Sequence, residues 1–335
     1  MSETIRGATI AGTGFYAPTK VIPNSYFDDF YKKDIGTFLV QQRNIKERRW
    51  MDPSETTSDL IMPAAEQALK NAGITAKDLD LIIVATDTPD YISPSTASVI
   101  QFRLKATRAG TFDINTACAG FVTGLDIASK YIASDKQYKN ILVVGAYAMS
   151  KYLNFDDYKI ASLFADGAGA AVVQQTENGG FKTSTMFTEG LYHDYMGIYG
   201  GGTAKPITHQ ALEKKENLLS FPKRIPPETN GIHWPKLTQT LLDRLHKNPN
   251  EVDHFFITQF NVQSIYETLD KLSVPREKAH LIMDKYGYTG SASIGMALGD
   301  AVEKKKLKKG DLCVFLGSGG GMSMTALALE WTYNT

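Results

Sequence analysis

The chemistry of this chain is most legible in Phe112-Asp-Ile-Asn-Thr-Ala-Cys-Ala-Gly-Phe121. Phe112 to Asn115 reads as the end of a buried strand, and Cys118 to about Lys130 places Phe121, Leu125, Ile127 and Ala128 near helical spacing. Cys118 then stands on the sharp turn between strand and helix. The first backbone N–H groups of a helix lack partners within it and carry partial positive charge, so a thiol there is expected to favour the nucleophilic thiolate. Ala117, Ala119 and Gly120 are small enough to let a substrate carbonyl approach both the sulfur and the backbone donors. A buried cysteine that only fills space is the competing reading.

Elements on either side must hold such a turn. Asp80-Leu-Ile-Ile-Val-Ala-Thr86 and Asn140-Ile-Leu-Val-Val-Gly145 are apolar runs of the kind found in strands covered on both faces. Ala8 to Gly14 reads as a first strand, Asn24 to Lys32 as a short amphipathic helix, and Ser58 to Asn71 and Ser95 to Leu104 as further helices. Phe164 to Val173 is a glycine-rich turn running into a strand. Its glycines lack the strand–GxGxxG–helix order of a phosphate site and are read as structural.

The second half replays the first. Asp253-His-Phe-Phe-Ile257 matches Asp80 to Val84 in character and lies 173 positions later, and Gly317 closes its strand 172 positions after Gly145. Tyr288, ahead of a small-residue helix from Ser291 to Lys305, falls 170 after Cys118. Three matches at nearly one offset indicate a duplicated α/β unit. Alternating strands and helices lead to an expectation of mostly parallel sheets in a layered sandwich with helices between. Residues 1–180 are expected to form the half carrying Cys118 and residues 181–335 the second half of one compact unit. Sites in such sheets lie beyond the strands' carboxyl ends, where Cys118, Thr258 and Tyr288 all fall. Glu189 to Asn230, with Gly200-Gly-Gly202 and Phe221-Pro-Lys-Arg-Ile-Pro-Pro227, breaks the pattern and is read as an irregular excursion near the substrate entrance.

The 335 residues carry 36 basic and 36 acidic side chains, which leaves no global field favouring nucleic acid or an anionic membrane. Two distant cysteines give neither a disulfide framework nor metal-ligand spacing, and Cys313 lies in the apolar run Leu312 to Leu316. No metal, flavin or nicotinamide is called for. No run approaches a membrane span, and a cytoplasmic location is expected.

The elbow and the Ala165-Asp-Gly-Ala-Gly-Ala170 turn, with Ile10 to Gly14, Ile45-Lys-Glu-Arg48, Tyr286 to Leu298 and Gly317 to Trp331, resemble the β-ketoacyl-acyl-carrier-protein synthase III family of thiolase-like condensing enzymes. The resemblance implies a thiolase-like duplicated α-β-α-β-α sandwich and a Cys118 acylated by a CoA or carrier-protein thioester. It also implies an oxyanion hole from the N–H groups of Cys118 and Gly320, within Gly317-Ser-Gly-Gly-Gly321. At the family's His-Gln-Ala-Asn this chain reads Thr258-Gln259-Phe260-Asn261, and at its Tyr-Gly-Asn-Thr it reads Tyr286-Gly287-Tyr288-Thr289. Thr258 and Tyr288 thus stand where the resemblance implies a histidine and an asparagine, and neither is a base near neutral pH. His193 is the best replacement histidine in sequence; His254 shares Thr258's strand but lies ~13 Å along it, and His233 reads as packing.

The family's adenine-holding tryptophan and arginine fall on Phe38 and Gln42, with Arg43 next to the latter, so Phe38, Arg43 and Asn261 are expected to bind substrate. Ser93 stands where an aromatic closes a short acyl pocket across the dimer interface, which implies a medium or long acyl chain. The leading expectation is an acyltransferase of the synthase III type that loads Cys118 and passes the group on in fatty acid, polyketide or specialised lipid biosynthesis. Decarboxylative condensation with malonyl-carrier protein is one alternative; a non-catalytic subunit paired with an active homologue is another. The partners expected are an acyl-carrier protein or CoA thioester and a second chain, homodimeric or heterodimeric, without nucleic acid or membrane.

Overall fold

The computed structural model describes residues 6–177 and 179–335. Its first sheet has the order β1-β7-β6-β4-β5, formed by β1 (Gly7–Tyr16), β4 (Leu81–Ala85), β5 (Gly110–Ile114), β6 (Asn140–Ala148) and β7 (Asp166–Thr176). The second runs β8-β11-β10-β9, from β8 (Phe181–Thr188), β9 (His254–Ile257), β10 (Leu312–Gly319) and β11 (Ser323–Glu330). A small antiparallel pair, β2 (Lys20–Pro23) and β3 (Glu47–Trp50), flanks them.

Helices fill three layers around the sheets. After the short α1 (Asn24–Tyr31), α2 (Thr57–Asn71) and α3 (Thr96–Leu104) cover the outer face of the first sheet. Thr56 and Asp59 form a reciprocal cap that starts α2, and the Ser95 hydroxyl caps α3 by accepting from the Ser98 N–H at 3.2 Å. Between the sheets lie α4 (Gly120–Ser134) and later α7 (Ser293–Glu303), while α5 (Thr229–Leu245) and α6 (Val262–Lys271) cover the outer face of the second sheet. The result is the layered α-β-α-β-α sandwich. Every residue of β4 is buried, as its apolar run requires of a strand covered on both faces. Close contact between the halves needs glycine: a Cβ on Gly169 of β7 would fall 2.3 Å from the backbone carbon of Gly295 in α7.

The expectation of mostly parallel sheets is corrected. β4 runs parallel to β5 and β6, and β10 parallel to β9, but β7 is antiparallel to both β1 and β6, and β11 to both β8 and β10. Each half ends in a strand that returns beside its predecessor rather than crossing over a helix. The parallel part of each sheet still leaves its carboxyl ends at one place, and the site forms there.

Candidate active site

Cys118 sits in a 3-10 turn, Ala117–Ala119, that leads from β5 into α4. Ala117 takes a left-handed φ of 46°, which makes the reversal sharp. The sulfur lies at the inner end of a cleft of about 700 Å³ whose lining includes Thr258, Tyr288, Asn261, Phe260 and Gly319. Phe38 and Arg43 line its outer part, and Phe221 to Pro227 form one wall, so the Pro-rich excursion does border the entrance. The cysteine is 2 % exposed, yet it is reached from outside through this cleft.

The expected thiolate is not what the surroundings favour. Burial pushes the Cys118 thiol up to about 12, the Asp87 carboxylate adds to the rise, and hydrogen bonds from the Tyr288 hydroxyl and the Cys118 N–H only partly offset it. Helix-start geometry is present, but removal from water outweighs it. A proton must therefore leave the sulfur during attack.

Tyr288 is fixed by its backbone and its ring. Its N–H donates to the Leu163 carbonyl at 3.2 Å and its carbonyl accepts from the Ala165 N–H at 2.8 Å, so the two halves are joined here. The ring packs against Phe164 and Phe260, with centroids at 5.5 and 5.2 Å. Burial, and then the neighbouring Cys118, raise its hydroxyl well above the usual phenol range, which makes Tyr288 a neutral donor and no base. Thr258 follows β9; its hydroxyl oxygen accepts from the Ser318 N–H at 2.9 Å, leaving the hydroxyl proton free to point at a ligand.

The glycine run that closes β10 presses on the elbow. A Cβ on Gly319 would lie 2.6 Å from the Cys118 nitrogen, and Gly320 follows directly. Asn261 has a double position: it lines the cleft, and its side chain caps α6 by accepting from the Gln263 N–H at 3.1 Å. The Arg43 guanidinium lies over the Phe260 ring at 5.2 Å, and Phe38 is 45 % exposed beside it.

One expected residue, His193, is not brought to the cleft. His193 is exposed, outside the lining; its segment turns so that Met196 faces inward instead, and His193 does not replace the absent histidine. Ser93 is exposed on the loop ahead of α3, away from its own chain's cleft. His254 pairs with Asp311 at 3.0 Å and His233 stacks on Phe187, both remote from the sulfur. Asp87, two residues past β4, went unread in the sequence because Thr86-Asp87-Thr88 has the composition of a plain turn. The rule that sites lie beyond parallel carboxyl ends is the signal that would have found it.

Residues 112–190 match the family described as 3-oxoacyl-[acyl-carrier-protein (ACP)] synthase III, and residues 242–331 match its C-terminal part. The β-ketoacyl-[acyl-carrier-protein] synthase III of Caldanaerobacter subterraneus subsp. tengcongensis is 36 % identical, over 99 % of this chain and 100 % of that protein. The enzyme of that name from Clostridioides difficile is 35 % identical over 97 % of this chain and 98 % of its own. Among solved structures, 3-oxoacyl-[acyl-carrier-protein] synthase III from Aquifex aeolicus VF5 superposes with a TM-score of 0.87 at 32 % identity, covering 97 % of this chain and 100 % of that one. The priming β-ketosynthase from the R1128 polyketide pathway gives 0.88 at 25 % identity, covering 100 % and 99 %.

Proposed function

From the premise that this chain belongs to the β-ketoacyl-acyl-carrier-protein synthase III family of condensing, acyl-transferring enzymes, we propose that it takes an acyl group from a CoA or carrier-protein thioester onto Cys118 and passes it to a second substrate. The observation that carries this reading is a sulfur at the inner end of an open cleft whose lining also holds Thr258 and Tyr288.

In the first half-reaction the Cys118 sulfur attacks the thioester carbonyl. The N–H groups of Cys118 and Gly320 receive the developing oxyanion, each such donor being worth about 3 kcal/mol of barrier. Phe38 and Arg43 meet the nucleotide or pantetheine end of the donor, and Lys159, Lys223 and Arg224 at the same cleft attract its phosphates. In the second half-reaction Thr258 and Tyr288 donate hydrogen bonds that orient the incoming substrate, with Asn261 at the wall.

Decarboxylative condensation of malonyl-carrier protein to a β-ketoacyl product is the second reading. Thr258 and Tyr288 favour it because both are hydroxyl donors lining the cleft that reaches the sulfur, as the stabilisation of a thioester enolate requires. A non-catalytic subunit accounts poorly for a cleft that reaches Cys118. The loop around Ser93 exposes Tyr91 and Ile92, and α3 exposes Phe102, an apolar surface that supports a dimer in which Ser93 borders the partner's acyl pocket. A serine there leaves room for a medium or long chain.

Intact-protein mass after incubation with panels of acyl-CoA and acyl-carrier protein tests the loading. Addition of malonyl-carrier protein, with a search for a β-keto product, separates transfer from condensation.

A further inference from the structure

Thr258, Gln259, Phe260 and Asn261 follow β9 in a row, and all but Gln259 line the cleft. Gln259 is 1 % exposed and turned the other way. Its Nε2 donates to the His280 carbonyl at 2.9 Å, and its Oε1 accepts from the Ile282 and Met283 N–H groups at 2.9 and 3.0 Å. One amide proton and both lone pairs of the amide oxygen are thus engaged, which holds the side chain in one orientation.

The segment that Gln259 grips leads to Tyr288. Met283–Tyr286 is a single helical turn, and Gln259 meets two of the N–H groups that a helix start leaves without partners. The Met283 carbonyl accepts from the Gly287 N–H at 3.0 Å, and Gly287, at a φ of 66°, passes the chain to Tyr288. The gripped segment is anchored on its other sides as well. The His280 N–H donates to the Phe255 carbonyl of β9 at 3.0 Å, and His280 Nε2 lies 2.6 Å from Asp300 Oδ2 on α7. At the near end of the clamp, the Phe260 ring meets the Tyr288 ring edge-on at 5.2 Å, and the Thr258 hydroxyl accepts from the Ser318 N–H at 2.9 Å. Two cleft hydroxyls from segments 30 positions apart therefore share one buried fixed point.

We propose that Gln259 is a positioning residue of the acyl-transfer site, whose amide sets the Thr258 and Tyr288 hydroxyls against one another within the cleft. It acts only through those two side chains and touches neither the thiol nor the substrate. This rests on the loading and transfer reading above. A displacement of about 1 Å in groups that orient a reaction costs on the order of 100-fold in rate, so a clamp between the two segments bears on chemistry and not only on folding.

The test is a double-mutant cycle. Gln259→Met keeps the length of the side chain and removes all three hydrogen bonds; it is made in the parent chain and in Thr258→Val, Tyr288→Phe protein. Single-turnover loading from octanoyl-CoA is followed by intact mass, Cys118 alkylation by iodoacetamide is followed against pH, and the melting temperature is measured. In the parent chain Gln259→Met is expected to slow loading by about 10- to 100-fold and to move the alkylation profile upward. Where both hydroxyls are already gone it is expected to change loading by less than about twofold and to leave the alkylation profile in place, since nothing remains to be positioned. The melting temperature should fall equally in both backgrounds. Equal fold-losses of loading in the two backgrounds overturn the assignment, because they mark Gln259 as a prop for the fold. Loading by Gln259→Met at the parent rate overturns it too. If Gln259→Met does not fold, Gln259→Glu keeps both acceptor bonds and exchanges the donor to His280 for a carboxylate oxygen. The same pattern at smaller amplitude is then expected, and equal losses in both backgrounds again count against the proposal. If wild-type protein accepts no acyl group from octanoyl-CoA or any other thioester, the loading reading fails on its own. Alkylation then decides the positioning role: an upward shift that vanishes without the Tyr288 hydroxyl supports it, and an unshifted profile overturns it.

Discussion

Tyr288 and Cys118 line one cleft across the seam between the two halves of the chain, and the Tyr288 hydroxyl lowers the thiol that burial raises. Among the described residues, the Tyr288 hydroxyl and the Cys118 N–H are what oppose the burial that holds the thiol protonated.

Tyr288→Phe keeps the ring between Phe164 and Phe260 and removes only the donor. A hydrogen bond to a charged group is worth about 1.5–3 kcal/mol, so acyl loading is expected to slow by about 10- to 100-fold. The pH profile of Cys118 alkylation should move upward, and the melting temperature should stay near that of wild type. An unmoved alkylation profile would show that the phenol does not serve the sulfur.

Thr258 and Tyr288 stand where the family's histidine and asparagine are expected, and both reach the cleft. The double variant Thr258→His with Tyr288→Asn supplies an imidazole that titrates near neutral pH and an amide donor. It is expected to release CO2 from malonyl-carrier protein and give β-keto product at a rate well above that of the parent chain. Product mass and CO2 release measure it.

Gly319→Ala tests the contact between glycine turn and elbow. Its Cβ would fall 2.6 Å from the Cys118 nitrogen, with backbone rather than a flexible side chain in the way. The elbow must shift, and loading should fall by about 100-fold through loss of the aligned oxyanion donors. The melting temperature should fall as well, whereas Gly201→Ala, in open space though at a φ of 110°, should leave loading intact.

The raised Asp87 carboxyl also fixes a pH dependence of stability. Its unfolded value is 3.8 and its folded value about 6, so between these the native state holds a proton that the unfolded chain has released. The unfolded state then binds fewer protons, and stability falls as pH rises from about 4 to 6 and stays lower above that. Asp87→Asn removes the penalty and is expected to stabilise the protein at pH 7 by on the order of 3 kcal/mol. At pH 4 it should do little. Denaturant midpoints at the two pH values check the sign.

Arg43 lies over Phe260 in the outer cleft, buried enough to lower its guanidinium from the usual range. Arg43→Ala should raise KM for an acyl-CoA by about tenfold and leave kcat nearly unchanged, as loss of a uniform binding contact does. A donor lacking the nucleotide should be affected less.

What the sequence disclosed was local. The elbow could be read because strand, sharp turn and helix adjoin, and the duplication because three signals share one offset. Strands β8 and β11 carry no such signal, since their pairing joins Thr188 to Ser323 and Phe181 to Leu329 across the chain. The return of β7 beside β6 and of β11 beside β10 is also why the sheets are mixed. His193 looked well placed by order along the chain, yet the turn that follows sends Met196 inward. Asp87 was hidden for the opposite reason: nothing near it in sequence marks it, and only the alignment of β4 between β5 and β6 sets its carboxylate where it raises the Cys118 thiol. The expected thiolate failed because spacing along a chain reveals a helix start but not how completely the fold will strip water from it.

The most direct measurement is the mass of the protein after incubation with medium- and long-chain acyl-CoA and acyl-carrier protein, with the adduct located by peptide mapping. One acyl group on the peptide containing Cys118, absent in Cys118→Ala, is the predicted result. No adduct from any thioester, or the same adduct on Cys118→Ala, would contradict it.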